Sequence, residues 1–182
     1  MNAIVVFQSK YGSTEKYSQW IAEALHCSAK KLEDIQPGEL AGYDTLLYGG
    51  GLYAGSINGL KKFLKLLGSA EGKRLGLFMV GMTDPAQKEV YEEAAARNIP
   101  GAWKACFAVF ALRGDHRYSK MSGPHKLMMR MMQAASKTAA APPEAATSST
   151  VAFCQDAALS SMEQIDPIVK HFCGCSNGGS QG

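Results

Sequence analysis

The sequence predicts an α/β protein with a five-stranded parallel sheet, and three observations support this fold class. Strand-like and helix-like patterns alternate over the first 112 of the 182 residues, which indicates right-handed crossovers between parallel strands. The segments 4–7 and 75–80 are apolar at successive positions, as strands covered on both faces require. No apolar run approaches the roughly 20 residues of a membrane-spanning helix.

The elements follow from local patterns in chain order. Short apolar or β-branched runs predict strands at 2–7, 28–32, 43–48, 73–81 and 104–112. Apolar residues at helical spacing predict helices at 14–26, 58–67, 84–98 and 156–172. Asp84 and Pro85 mark the start of the third helix, because Asp caps free amides and Pro suits a first turn. Pro167 interrupts the last helix, where Asp166 is expected to cap a restart.

The alternation stops after Leu112, and the predicted organisation is one domain over 1–172 with an insertion at 113–150 and a flexible tail at 173–182. Within the insertion, residues 113–137 hold six basic side chains and one acidic one, and five of the nine methionines lie between Met121 and Met132. Residues 138–150 are of low complexity, and 151–153 is expected to be a strand fragment. This local excess of positive charge suggests that a binding partner contacts this segment.

The remaining sequence features predict a cytoplasmic protein without a metal site. The N-terminus runs into a strand pattern without the basic lead of a signal peptide. The five cysteines form no Cys-x-x-Cys pair, so free thiols are expected, with Cys173 and Cys175 as plain tail cysteines. The four histidines are scattered, and no nucleic-acid partner is expected.

The strongest chemical signal is the hydroxyl-rich loop between the first strand and the first helix. This loop comprises Ser9, Lys10, Tyr11, Gly12, Ser13 and Thr14. A helix N-terminus offers free amides and a positive dipole end, which suit a phosphate. The Gly-Lys-Ser/Thr and Gly-x-Gly-x-x-Gly patterns are missing, so a phosphate monoester is favoured over a triphosphate. An ordinary capped helix start is the alternative.

Two further loops are expected at the same sheet edge. Three glycines, 49–51, leave the third strand at a cost in chain entropy, which suggests that a ligand needs this backbone. The candidate residues of this second loop are Gly50, Gly51, Leu52, Tyr53, Ala54 and Gly55. If the strands take the order 2-1-3-4-5, this loop and the first one flank the crevice where ligands bind in doubly wound sheets. Tyr53 offers a planar surface to a ring, although a partly exposed loop aromatic is the alternative.

The third loop, after the fourth strand, borders the same crevice. Its residues are Gly81, Met82, Thr83 and Asp84. A plain strand-to-helix turn is the alternative.

Taken together, the three loops resemble those of the flavodoxin family over most of residues 2–112. The resemblance implies FMN, with its phosphate on 9–14 and its ring between 50–55 and 81–84. A backbone carbonyl at Gly50 or Gly51 is expected to accept a hydrogen bond from N5 of the reduced flavin. The third loop has no aromatic side chain, so either Tyr53 stacks on the ring alone or the insertion supplies a cover.

Residues 111–132 narrow the resemblance to one group of flavodoxin-type enzymes. Its Ala111-Leu112-Arg113 and its basic, Met-rich continuation resemble the bacterial flavodoxin-type, quinone-linked protoporphyrinogen dehydrogenases. This implies oxidation of a porphyrinogen with a quinone acceptor. Substrate or partner contacts are then expected at Arg113, Arg117, Tyr118, Lys126 and Arg130.

Alternatives from other classes stay open at this stage. The chain could be a simple carrier that docks a redox partner protein, or a flavodoxin-shaped regulatory module without flavin. A basic amphipathic segment at 117–133 also permits peripheral contact with an anionic membrane surface.

Overall fold

A computed structural model of the chain describes residues 2–115 and 158–173. Its residues group into two compact units, Met1–Gly114 with Ser160–Gly182, and Asp115–Leu159. Of the second unit only residues 115, 158 and 159 are described, and there the Leu159 amide donates to Asp115 Oδ1 at 2.9 Å. The single domain over 1–172 therefore stays a prediction, and the fold below is that of the first unit.

The sheet confirms the predicted strand order. Its strands are β1 (Ala3–Gln8), β2 (Ser28–Lys31), β3 (Thr45–Tyr53), β4 (Ser56–Ile57), β5 (Arg74–Gly81) and β6 (Phe107–Arg113). The order is β2-β1-β3-β5-β6, with all neighbours parallel. The two-residue strand β4 was not predicted, and it pairs antiparallel with the end of β3.

Helices cover both faces of the sheet. They are α1 (Ser13–Ala24), α2 (Leu60–Leu67), α3 (Lys88–Asn98) and α4 (Asp166–Cys173). Along β1, Val5 packs in the cluster that contains residues of α1 and α4. Its neighbours Ile4 and Val6 pack in the cluster that contains residues of α2 and α3. This alternation produces the doubly wound architecture, because successive strand side chains point to opposite faces.

Two predicted helix boundaries are wrong for local reasons. Helix α3 begins at Lys88 rather than at Asp84. The Asp84 carboxylate accepts the Ala86 amide at 2.9 Å, so this residue forms a tight turn before the helix. The last helix was predicted from 156, but residues 158–161 are irregular and Met162–Ile165 is a 3₁₀ turn. Helix α4 then begins at Asp166, with Pro167 in its first turn, as the expected restart requires.

The largest departure from prediction is the length of β3. This strand was expected to end at residue 48, but it continues through Gly49, Gly50 and Gly51 to Tyr53. A side chain at Gly49 would collide with the ring of Phe78, and one at Gly50 would lie 2.6 Å from Ile57 Cγ2. The close approach that these glycines permit is therefore to the protein's own side chains, and it does not require a ligand.

Candidate functional site

The three predicted loops meet at one edge of the sheet. They follow β1, β3 and β5, and β3 pairs with both of the others. The carboxyl ends of adjacent parallel strands lie at the same edge, which is where ligands bind in this architecture. Arg113, the last residue of β6, reaches this edge as well, opposite Gly81.

The first loop leads into the beginning of α1. Gly12 precedes the helix with φ +96°, a conformation that glycine adopts readily, and no side chain caps the helix from this position. The Gly12 amide itself donates to Ser9 Oγ at 3.0 Å. Ser13 and Thr14 are buried behind it. The first-turn amides of α1 therefore combine with the positive dipole end and the hydroxyl groups in a donor set suited to an anion.

Aromatic and cationic side chains join the first loop to the second. The rings of Tyr11 and Tyr53 make an edge-to-face contact with centroids 5.9 Å apart. Lys10 Nζ lies 5.5 Å from the Tyr11 centroid and 6.0 Å from the Tyr53 centroid. Burial, with a smaller contribution from Tyr11, raises the pKa of Tyr53 to about 12. Tyr53 therefore stays a neutral, partly buried phenol at this edge.

The second loop is a tight hairpin rather than an open glycine loop. Ala54 and Gly55 take φ values of +48° and +76° between the paired residues Tyr53 and Ser56, as a two-residue turn of the type I′ kind requires. The Gly51 carbonyl accepts the Asn58 amide at 3.0 Å. Asn58 is the residue after β4, and the expectation that a carbonyl at Gly50 or Gly51 accepts a hydrogen bond from the reduced flavin stays a prediction.

Asn98, the last residue of α3, fastens this hairpin. Its Nδ2 donates to the carbonyls of Gly55 at 2.6 Å and Ala94 at 2.8 Å, and its Oδ1 accepts the Ile57 amide at 3.1 Å. Two of these bonds, to Gly55 and Ile57, hold the hairpin in place, and the third, to Ala94, stays within α3. Helix α3 therefore holds the hairpin through Asn98 and so fixes the position of Tyr53.

The third loop is supported by α3 and β6. The Tyr91 hydroxyl donates to the Thr83 carbonyl at 2.6 Å, and burial raises the pKa of Tyr91 to about 12. Arg113 Nη1 lies 3.3 Å from Asp84 Oδ2. Both side chains are more than a third exposed, so this ion pair orients the loop more than it stabilises the fold.

The backbone around Arg113 is held by three further bonds. The Arg113 amide donates to Gln164 Oε1 at 2.8 Å, and its carbonyl accepts the Tyr17 hydroxyl at 2.7 Å. The Gly114 amide donates to the Gly81 carbonyl at 2.7 Å. Arg113 Nε is buried and has no hydrogen-bond partner among the described residues. The guanidinium therefore retains donor capacity beside the third loop.

The structure thus brings together the predicted residues of all three loops and Arg113. Arg117, Tyr118, Lys126 and Arg130 lie outside the described residues. Sequence analysis missed Tyr91 and Asn98, which position the third and second loops. Both lie within a helix whose apolar spacing gave no sign that their polar atoms reach across to loop backbone.

Residues 2–115 and 158–173, which the structure describes, contain neither a metal-binding cluster nor a membrane-spanning helix. No group of three or more His, Cys, Asp or Glu side chains is arranged to hold a metal ion. No helix there combines the length and apolarity that crossing a bilayer requires.

Comparison with known proteins identifies one family. The model of a flavodoxin domain matches residues 4–141. No curated protein matches the chain.

Among solved structures, similar folds include an archaeal flavodoxin, the two-electron reduced flavodoxin of Megasphaera elsdenii and a putative flavoprotein of Bacteroides uniformis. The archaeal protein is 16% identical with a TM-score of 0.45, over 62% of this chain and 83% of its own. The Megasphaera protein is 17% identical with a TM-score of 0.44, over 62% and 83%. The Bacteroides protein is 15% identical with a TM-score of 0.48, over 62% and 90%.

Proposed function

Because this chain belongs to the flavodoxin-domain family, we propose that it is an electron-transfer flavoprotein that binds FMN at the carboxyl edge of the sheet. The first loop is the observation that carries this proposal. Gly12 turns the chain into α1 at φ +96° with no side-chain cap, so the first-turn amides of a twelve-residue helix face the edge where the other two loops lie. A phosphate monoester suits this donor set better than an apolar or cationic ligand does.

The residues present fit the phosphate end of the cofactor. Ser9, Ser13 and Thr14 supply hydroxyl groups, and the exposed ammonium of Lys10 adds a positive charge. Ser9 already orders the turn by accepting the Gly12 amide. Such a site is organised before the ligand arrives, which lowers the entropy lost on binding.

The residues present also fit an aromatic ring between the second and third loops. Tyr53 is neutral at physiological pH because its pKa is raised to about 12, and Tyr11 supports its ring edge-on. When bound, FMN supplies the one- and two-electron redox chemistry, while the protein supplies orientation and electrostatics. Arg113 and Asp84 would then hold paired charges beside the ring.

The finer proposal concerns the substrate. Oxidation of a porphyrinogen-type substrate with a quinone acceptor rests on the resemblance of 111–132, of which residues 116–132 lie outside the described part. Of the expected substrate contacts, Arg113 is the one that the structure describes, and its partly paired guanidinium at the proposed site suits a carboxylate. Steady-state oxidation of protoporphyrinogen with a quinone tests this, and absence of turnover with any quinone favours a carrier that serves a redox partner protein.

The FMN proposal is tested by titrating the purified chain with FMN and following quenching of flavin fluorescence. The wild-type chain is expected to give saturable quenching. Gly12→Val should abolish it, because a β-branched side chain is strained at φ +96° and blocks the first-turn amides. Gly38→Val is the matched control, since Gly38 has φ +81° with open space around it and precedes β3 at the other end of that strand.

The outcomes separate the hypotheses. Loss of FMN binding in both glycine variants would indicate a general effect of backbone strain. Unchanged binding in Gly12→Val would remove the phosphate site from the first loop. A wild-type chain that is colourless and never quenches FMN would favour the flavin-free regulatory module.

A further inference from the structure

A second concave site lies between α3 and β6, apart from the first loop. Its volume is about 560 Å³, within the range of pockets that hold small organic ligands. Its floor is apolar and includes Met79 of β5, Ala95 and Ile99 at α3, and Ala111 of β6. We call this site the α3–β6 groove.

The groove is open because small side chains and a strand edge meet there. Ala95 and Ala96 of α3 line it where larger residues would fill the space. Val109 of β6 also lines it and is 40% exposed. Strand β6 pairs with β5 on one side, and no second strand pairs with it in the part of the chain that the structure describes.

The charged side chains of the groove favour an anion. Lys88 and Lys104 contribute two ammonium groups, and Glu92 contributes one carboxylate. An apolar floor with an excess of positive charge at its rim complements a molecule with an apolar body and an acidic group. A neutral or cationic molecule of the same shape gains the apolar contact but not the charge complementarity.

The groove also touches the support of the third loop. Tyr91 lines the groove, while its hydroxyl donates to the Thr83 carbonyl at 2.6 Å. A side chain at Gly81 would lie 2.9 Å from that hydroxyl, so the Tyr91 ring packs directly under the loop. Pro85, which follows Asp84 in the loop, is a further wall of the groove. A molecule in the groove therefore contacts the residues that fix the third loop.

We propose that the α3–β6 groove is a binding site for a small amphipathic anion, an aromatic or aliphatic body carrying one carboxylate or sulfonate. This site is separate from the proposed cofactor site and does not depend on FMN. Its occupant packs against Ala95 and Ala111, and its acidic group is attracted by the excess positive charge that Lys88 and Lys104 give the groove. Through Tyr91 it adjusts the third loop.

The test is a titration of the isotope-labelled full-length protein with 2-naphthoate, followed by amide chemical shifts. The expected shifts map to Ala95, Lys104 and Ala111, and not to the first loop. The neutral isostere 2-naphthamide should bind about tenfold more weakly, as the loss of contacts with two surface charges implies. Shifts confined to other surfaces would overturn the proposal.

Two variants and a control locate the site further. Lys88→Glu combined with Lys104→Glu should remove the preference for the anion without unfolding the protein, because both side chains are exposed. Lys61→Glu combined with Lys65→Glu makes the same charge change on α2 and should leave the preference intact.

Filling the groove with Ala95→Leu should weaken the binding of 2-naphthoate and of 2-naphthamide to the same extent. A melting curve confirms that the variant is folded. A preference that survives the groove reversal would show that Lys88 and Lys104 do not recognise the anion, and one that falls equally in the α2 control would assign it to net charge alone; either result would overturn the proposal.

Discussion

Replacing Asn98 is expected to loosen the β3–β4 hairpin and to lower the free energy of unfolding. The size of this decrease follows from the hydrogen bonds that Asn98 makes. Asn98→Ala removes three hydrogen bonds, to Gly55, Ala94 and Ile57. Each such bond contributes about 1 kcal/mol net. The side chain is half-buried and water can replace part of what is lost, so the free energy of unfolding should fall by about 2 to 3 kcal/mol.

The Asn98→Asp variant distinguishes the two hydrogen bonds that the Asn98 side chain donates from the one that it accepts. Its carboxylate can still accept the Ile57 amide, but it replaces the donor to two carbonyl oxygens with a second acceptor. At neutral pH, the free energy of unfolding should therefore fall by at least as much as it does in Asn98→Ala. Burial against carbonyls raises the pKa of this carboxyl above its unfolded value, so the variant should regain stability as the pH falls and the acid is protonated.

Urea denaturation followed by circular dichroism measures these changes. Glu89→Ala, an exposed position on the same helix, is the control and should change stability by less than about 0.5 kcal/mol. If Asn98→Ala were no worse than Glu89→Ala, the hairpin would not depend on this clamp. Because the hairpin carries Tyr53, FMN affinity should fall in Asn98→Ala as well, and an unchanged affinity would separate the clamp from the proposed site.

Three further outcomes are expected. Lys73→Met should lower the free energy of unfolding by about 2 kcal/mol, because Lys73 Nζ donates to the carbonyls of Tyr43 at 2.7 Å and Ala41 at 3.0 Å. Ala54→Gly should raise it by about 0.5 kcal/mol, because φ +48° strains alanine and suits glycine, whereas Ala54→Val should lower it. Burial raises the pKa of Tyr53 to about 12, so the stability that its neutral form contributes is complete below pH ~10 and is lost as the pH rises towards 12. Tyr53→Phe should therefore lose less stability than the wild type between pH 9 and 11.5, in the same denaturation assay.

Each of these outcomes has a result that contradicts it. Lys61→Met, at an exposed position of α2, controls for loss of charge, and an equal effect would deny a role to the Lys73 bonds. A stability loss in Ala54→Gly would show that chain entropy outweighs strain at this turn. Identical alkaline profiles for Tyr53→Phe and the wild type would place the titration elsewhere.

The parallel sheet could be predicted because its signals are local. Strands buried on both faces need apolar residues at successive positions, and the segments at 4–7 and 75–80 show this directly. The place of the first loop at the start of α1 was predictable for the same reason, from Gly12 followed by Ser13 and Thr14, while its role as an anion site stays a prediction. Both rest on short-range patterns.

What could not be predicted depends on contacts between distant residues. Gly49 to Gly51 suggested a ligand loop, because nothing in the sequence shows that Phe78 and Ile57 occupy the space beside them. The hairpin clamp joins Asn98 to Gly55, 43 residues away. The α3–β6 groove arises where Ala95 faces β6, and a pair of alanines on a helix does not by itself signal a cavity.

The contacts of helix α4 have a consequence for the order in which the parts of the protein fold. Phe172 is buried, and a side chain at Gly76 would lie 2.8 Å from its ring. Arg74, at the start of β5, stacks 5.2 Å from the Phe172 ring and donates to the His171 carbonyl at 3.1 Å. On the ribosome, strand β5 emerges well before helix α4. Until α4 is synthesised, the sheet face around Gly76 lacks the cover that the Phe172 ring provides, so the folding of this part of the core waits for α4.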